Sequence, residues 1–417
     1  MAAKSGAQLE IEPLQDDARP TSQDLDVASA GHPKCAIRKV LLNNFRNYDH
    51  ISFDVESVPV ILTGSNGAGK TNLLEAISLL APGNGLRRTP FAELSKFSTQ
   101  SGWTVSAQVE TQVGTVRLGT GLNPSANAGA KERSGRIVRV DGETTSAGAL
   151  TQYLHVNWLT PAMDGLFTGP ASERRRFLDR LITSLDPNYR KSLNQFDRAM
   201  RQRNKLLETP NASVFLFEGL EVQMAEIGVS ISAARREAIT RLSATIEMRR
   251  KELETQPCEM TFPWATLALQ GTLEEWLMCN PAVDVEDLYI QALAQGRDLD
   301  RAAKRTLTGP HRSDFIVYHG PKDMPAQYCS TGEQKALLAG LILAHTQITK
   351  QLNAGHPPIL LFDEIAAHFD QHRRCGLFKE ILQLGVQAWM TGTDKSMFSD
   401  IESKAQFFTV DNGQIAP

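Results

Sequence analysis

Apolar positions change their period several times along this chain. Short apolar runs over residues 37–42, 51–55 and 58–62, bounded by polar or turn residues, predict three strands. Further strands are predicted over 103–110 and 115–118, with a hairpin where 136–140 meets an Asp141-Gly142 turn. The stretch 119–135, rich in Gly, Asn, Ala and Ser, reads as a long mobile loop within this sheet. After Pro161 the period becomes helical. Pro170, Ala171 and Ser172 open a helix whose Phe177, Leu178, Leu181, Ile182 and Leu185 share one face until Asp186-Pro187 stops it. Helical patterns continue over 192–207, 215–255 and 286–305, so the middle third is predicted to be mainly helical. Strand runs return at 359–362, 386–391 and 406–410. The simplest arrangement is one α/β domain built from both ends of the chain, with a helical arm inserted. It places the first part of the head at 35–160, the arm at 161–305 and the second part of the head at 306–417.

Composition narrows the class. Residues 1–34 carry six acids against three bases with almost no apolar periodicity, which predicts a disordered acidic tail. Hydrophobic residues make up 41% of the chain, but the longest apolar run, 336–344, is too short to span a bilayer. No basic segment followed by an apolar core opens the sequence, so a cytoplasmic location without membrane association is expected. Five scattered cysteines, with no Cys-x-x-Cys pair, imply neither a zinc site nor a disulfide framework. The net charge of −3 argues against a uniformly basic coat and directs attention to local patches.

The chemistry begins at Gly64, Ser65, Asn66, Gly67, Ala68, Gly69, Lys70 and Thr71, which stand between a predicted strand and a predicted helix. This is a phosphate-binding P-loop in the context it requires. Its glycines let backbone N–H groups approach anionic oxygens at dihedrals a Cβ would penalise, and the helix N-terminus adds its dipole. Lys70 then reaches the β and γ phosphates of ATP, and the Thr71 hydroxyl is placed for Mg²⁺. Far along the chain, the apolar run 359–362 ends in Asp363 and Glu364. Asp363 is placed to hold Mg²⁺, and Glu364 to polarise the water that attacks the γ-phosphate. Between these motifs, Ser330, Gly332, Glu333 and Gln334 precede an apolar helix over 335–348. An ordinary N-cap is one reading of that segment. The order of the three motifs favours another, a second phosphate cradle that serves a neighbouring molecule.

That order resembles the ABC-type ATPase head shared by ABC transporters, structural maintenance of chromosomes (SMC) proteins and the RecF family of bacterial recombination mediators. The match is most specific to the RecF family. Asn44-Phe45-Arg46-Asn47-Tyr48 resembles its opening motif, and the segments 64–77, 169–179, 308–315, 329–337 and 361–370 resemble further blocks. The resemblance runs from about residue 36 to the end of the sequence. It implies that Ser330 and Gly332 act in trans on the ATP of a second subunit, and that Asp370 belongs to the D-loop across the same interface. Phe369 stands where a leucine is usual, and Thr391-Gly392-Thr393-Asp394 stands where transporters carry a switch histidine, which leaves the γ-phosphate sensor and the Q-loop unassigned.

The resemblance also implies a weak, DNA-stimulated ATPase whose ATP-driven homodimer clamps double-stranded DNA and gapped or single-stranded junctions. RecR and RecO are the implied partners, RecA loading the implied outcome and slow hydrolysis the implied release. Residues 171–210 hold ten Lys or Arg against five acids, and Arg174, Arg175 and Arg176 are the candidate DNA contacts. A solvated helix face is the competing reading of that run. The rivals are a transporter ATPase subunit and an SMC-like tether. About 260 residues separate Lys70 from Ser330, and the insert is Arg-rich, which disfavours a transporter. It is also broken by Pro187, Pro210, Pro257 and Pro263, which disfavours a long tether. A nuclease with an extra C-terminal catalytic domain is disfavoured because the sequence ends about 50 residues after Glu364.

Overall fold

The computed structural model describes residues 35–96, 102–112, 114–122, 136–210, 212–254, 262–353, 357–365 and 369–417. The predicted acidic tail, most of the predicted 119–135 loop and Ala366, Ala367 and His368 of the D-loop segment lie outside them. The described residues fall within one compact unit, His32–Pro417.

The central sheet is assembled from distant parts of the chain. Strand β3 (Val60–Thr63) lies parallel between β13 (Ala388–Gly392) and β14 (Gln406–Asp411). On the far side of β13 follow β12 (Ile359–Phe362) and β8 (Val156–Leu159), again parallel, and β15 (Gln414–Ala416) closes the other edge. Parallel strands covered on both faces read as continuous apolar runs, as Val60-Ile61-Leu62 and Ile359-Leu360-Leu361-Phe362 do. Alternate residues enter different cores. Leu62, Ile359, Leu361 and Trp389 pack toward an antiparallel sheet and helix α1 (Lys70–Ser78). Ile61, Leu360, Phe362 and Met390 pack toward the helical half of the molecule.

The antiparallel sheet has the order β2 (Tyr48–Asp54), β1 (Ala36–Phe45), β4 (Thr104–Thr111), β5 (Gly114–Gly121), β6 (Ile137–Val140), β7 (Glu143–Thr145). Asp141 and Gly142, at φ of 49° and 92°, form its expected tight turn. Residues 119–121, read from sequence as loop, instead continue β5 by pairing with β4 and β6. The glycines on either side of Thr120 hide the strand from a pattern reading.

The helical half begins with α2 (Ala171–Leu185) and α3 (Pro187–Leu207). Asp186-Pro187 both stops α2 and starts α3: Pro187 occupies the first turn, where its missing N–H is harmless, and the Asp186 side chain accepts from the Asn188 N–H. Helix α4 (Val214–Glu254) spans 41 residues, about 60 Å at 1.5 Å per residue. A Cβ on its Gly228 would stand 3.0 Å from Tyr289 and 3.2 Å from Phe196, so glycine permits the close approach to neighbouring helices.

Three features depart from the predicted pattern. The run 286–305 is two helices, α6 (Ala282–Gln295) and α7 (Arg297–Ala303), meeting at Gly296. Helix α5 (Thr272–Cys279) and strand β9 (Ala265–Gln270) precede them. Strand β9 pairs with β10 (Asp314–His319), which pairs with β11 (Met324–Pro325), so a boundary at 305/306 falls between paired strands. Helix α8 (Thr331–Leu352) then runs, buried along much of its length, to the central sheet, and α9 (Gln371–Leu384) follows β12.

Candidate nucleotide site

The P-loop leaves the carboxyl end of β3, where ligands of parallel α/β sheets gather. Glycine is obligatory at two of its positions. Gly64 has φ +146°, and a Cβ there would stand 2.2 Å from the Val410 carbonyl oxygen; Gly69, at φ +121°, would meet Asn47 Nδ2 at 2.5 Å. Asn47 and Tyr48 brace the loop from behind: Asn47 Nδ2 donates to Ala68 O at 2.9 Å and the Tyr48 hydroxyl to Gly69 O at 2.9 Å. Arg46, at φ 55°, forks onto the buried Glu75 of α1 with two contacts of 2.9 Å. The opening motif therefore fixes the loop and its helix.

Lys70 Nζ donates to Gly64 O at 2.6 Å and Ser65 O at 2.8 Å, while Ser65, Asn66 and Gly67 are exposed. Burial lowers the Lys70 pKa, opposed by the negative charge of Glu364 and Asp363. Those carboxylates stand at the end of β12, beside the P-loop. Asp363 Oδ1 accepts from Thr71 Oγ1 at 2.9 Å and from Thr391 Oγ1 at 2.9 Å, and Thr391 Oγ1 in turn accepts from the Glu364 N–H at 2.7 Å. Burial raises the Asp363 pKa, and hydrogen bonds from Thr71 and Thr391 oppose it. Glu364 has φ 54°, a left-handed conformation that is uncommon for a non-glycine residue and is held here by the Thr391 bond.

A cavity of about 520 Å³ lies in front of Thr71, Asp363 and Glu364, with Arg87, Arg176 and Arg180 among its other walls. The donor set suits ATP with Mg²⁺: bare N–H groups and a lysine for phosphates, a hydroxyl and a carboxylate for a hard cation. Sequence reasoning left the residue at position 391 without a role. Its signal was a buried hydroxyl at the carboxyl end of the strand beside the Asp363 strand.

Ser330 and Gly332 do not line that cavity. Ser330 is the exposed N-cap of α8, in a capping box: its Oγ accepts from the Glu333 N–H at 3.4 Å, and Glu333 Oε2 accepts from the Ser330 N–H at 3.1 Å. Lys322 holds Glu333 at 2.6 Å and brings its pKa down to about 2. Gln334 is buried and donates to Cys329 O at 2.9 Å. Asp370 caps α9 by accepting from the Arg373 N–H at 2.8 Å. Phe369, the departure from leucine, turns inward, with its ring 5.7 Å from that of Phe262.

The three candidate DNA-contact arginines separate. Arg174 forms a two-pronged pair with Asp314, at 2.8 Å for each contact, and donates to Gly169 O at 2.6 Å. Arg175 donates to Ser313 O at 2.5 Å. Arg176 is exposed and donates to Ser172 O, one turn back. Elsewhere in the basic run, Arg203 is fully buried between Glu221 and Asp300. Lys191, Arg198, Arg201 and Lys205 are exposed, and their spacing places all four on one face of α3, opposite the buried Tyr189, Phe196, Ala199 and Leu207.

Fold and site together define an ABC-type P-loop ATPase head. Residues 36–416 match the family described as RecF/RecN/SMC N terminal domain. The chain is 49% identical over 382 residues to the DNA replication and repair protein RecF of Mesorhizobium japonicum, covering 91% of this chain and 97% of that one. It is 45% identical over 384 residues to RecF of Rhizobium meliloti, covering 92% and 99%. Among solved structures, the recombination mediator protein RecF-ATPrS in the RecFOR pathway superposes with a TM-score of 0.77 at 22% identity, covering 93% of this chain and 99% of that one. An Smc head bound to the C-winged helix domain of ScpA superposes at 0.52 with 14% identity, covering 91% and 95%. This chain belongs to the RecF family.

Proposed function

We propose that this protein is an ATP-gated DNA-binding protein of replication and repair, in which ATP joins two heads into a clamp and hydrolysis releases it. The observation that carries the reading is the position of the α8 N-terminus. Ser330 and Gly332 are presented at a capped, solvent-facing helix end, outside the cavity that holds their own chain's Thr71, Asp363 and Glu364. A helix N-terminus with a spare anion-binding face is suited to the triphosphate of a second copy.

In the closed clamp, the P-loop N–H groups and Lys70 bind the β and γ phosphates, which pulls Lys70 away from Gly64 O and Ser65 O. Mg²⁺, held by Thr71 and Asp363, supplies charge neutralisation on the phosphates when bound. Glu364 accepts a proton from the attacking water, and Thr391 fixes the backbone that aims it. Ser330 and Gly332 of the opposing copy close the site, with Asp370 beside them. Product release then frees the clamp, so slow hydrolysis acts as a timer.

DNA contact belongs to the α3 stripe. From Lys191 to Lys205 the helix advances about 21 Å, roughly the span of six phosphates along one strand. None of these four side chains forms an ion pair among the described residues. Such contacts neutralise phosphates without reading bases, as binding at gaps and junctions of any sequence requires. RecR and RecO, and delivery of RecA at gaps, fit this reading through the RecFOR pathway named for the structural neighbour. A transporter subunit or an SMC-like tether has no corresponding support from the insert.

Ser330→Arg tests the reading. Arginine at the interface is expected to abolish ATP-dependent dimerisation in light scattering while leaving the affinity for a fluorescent ATP analogue within a few-fold. Loss of nucleotide binding by the isolated variant would instead place Ser330 in its own chain's site.

A further inference from the structure

A second cavity, about 610 Å³, opens between the segment after α1 and the helices α2 and α3. Arg88 stands on the head side, and Arg175, Arg176, Arg180 and Arg190 on the helical side. Arg88, Arg176 and Arg180 also border the nucleotide cavity, so the two spaces adjoin. Among the described residues, the carboxylates nearby form no ion pair with these cations. Asp179 is taken by a two-pronged pair with Arg235, at 2.9 and 3.0 Å, and by the Tyr189 hydroxyl at 2.6 Å. Asp197, which also lines the cleft, is an exposed residue of α3 on which Arg201 acts as the opposing charge. Glu173 is the acid that Arg88 feels, but the two do not form an ion pair.

Arg88, Arg176, Arg180 and Arg190 thus form no ion pair among the described residues. Arg180 lies over the rings of Trp158 and Phe177, 4.6 and 5.3 Å from their centres, and donates to Trp158 O at 3.4 Å. Arg190 reaches across to the head: a Cβ on Gly83 would stand 2.9 Å from its Nη1, so a glycine makes room for the guanidinium. Burial, with Arg88 adding to it, pushes the Arg180 pKa down to about 9. Burial also lowers that of Arg88, helped by Arg176 and Arg190. Asp179 and Asp197 also line the cleft, but Asp179 is occupied by Arg235 and the arginines outnumber the two acids, and like charges gathered in a partly desolvated cleft are unfavourable. A planar guanidinium set of this kind matches the oxygens of a phosphate, and a bound anion reverses the repulsion. The volume suits a small ligand and is far too small for a duplex.

We propose that this cleft is a second anion site, distinct from the P-loop, that takes a terminal phosphate group and thereby bridges the head to the helical lobe. Two sources share that chemistry: the 5′-phosphate of a DNA strand end and a free nucleotide. The site does not depend on dimerisation, so its test is separable from that of the clamp.

The full chain, with its P-loop saturated by a non-hydrolysable ATP analogue and Mg²⁺, is titrated calorimetrically with inorganic pyrophosphate. One further binding event is expected. Arg190→Ala should weaken it about tenfold or more, Arg190→Glu should abolish it, and Arg190→Lys should retain part of it. Arg190 borders the second cavity and not the nucleotide cavity, so affinity for the ATP analogue should be unchanged in all three. Competition by a short 5′-phosphorylated oligonucleotide, with none by its 5′-hydroxyl twin, identifies a strand end; competition by nucleotides alone identifies a free nucleotide. Absence of a second event in the wild type, or pyrophosphate affinity that Arg190→Glu leaves intact, overturns the proposal.

Discussion

Thr391 joins three functions in one hydroxyl. It donates to Asp363, accepts from the Glu364 N–H and so holds Glu364 in a backbone conformation that its side chain alone would not favour. Thr391→Val keeps the shape but removes both bonds. ATP turnover, read as phosphate release, should fall roughly tenfold to a hundredfold, with nucleotide affinity changed only a few-fold. A buried histidine makes the stability pH-dependent. His345 donates through Nε2 to Leu181 O at 2.9 Å and accepts through Nδ1 from Asn157 at 3.1 Å, and burial brings its pKa down to about 4. The unfolded chain therefore binds a proton on this group between about pH 6.5 and 4 that the folded chain does not, so stability falls as pH is lowered through that window. Denaturant midpoints at pH 7 and pH 5 should drop by less in His345→Gln than in the wild type.

Helices divide the basic run into structural and exposed charge. Replacing Lys191, Arg198, Arg201 and Lys205 with Ala should lower DNA affinity and flatten the dependence of log K on log salt by about 3 to 4 units, whereas an unchanged slope would remove α3 from the DNA face. Arg174→Ala should leave that slope alone and instead cost about 2 kcal/mol of stability, measured by denaturation, because it strands Asp314. Composition could not make this distinction. A count of Lys and Arg over 171–210 records charge but not direction, and Arg174, Arg175 and Arg203 point inward only because Asp314, Ser313, Glu221 and Asp300 arrive from elsewhere in the chain. The same limit hid β10, whose partner β9 lies 44 residues upstream across three helices. Strands with local signals, such as β3 and β12, were legible because burial on both faces makes them continuously apolar.

At the scale of the molecule, segments about 300 residues apart in the chain meet where β3, β13 and β12 lie side by side, and that pairing places Lys70 and Thr71 against Asp363, Glu364 and Thr391. Motif order makes the P-loop and the Asp363-Glu364 pair readable in the amino-acid sequence, because each carries its chemistry in a fixed local context. The bracing of the P-loop by Asn47 and Tyr48 is visible there only as a block of resemblance, since its reason is a contact across the fold. The central claim is that one head's site is completed by another. Sedimentation velocity of Glu364→Gln with saturating ATP and Mg²⁺ tests it most directly. Blocked hydrolysis should trap a stable dimer, while the same protein without nucleotide sediments as a monomer. A variant that binds ATP yet remains monomeric at every concentration would contradict the clamp.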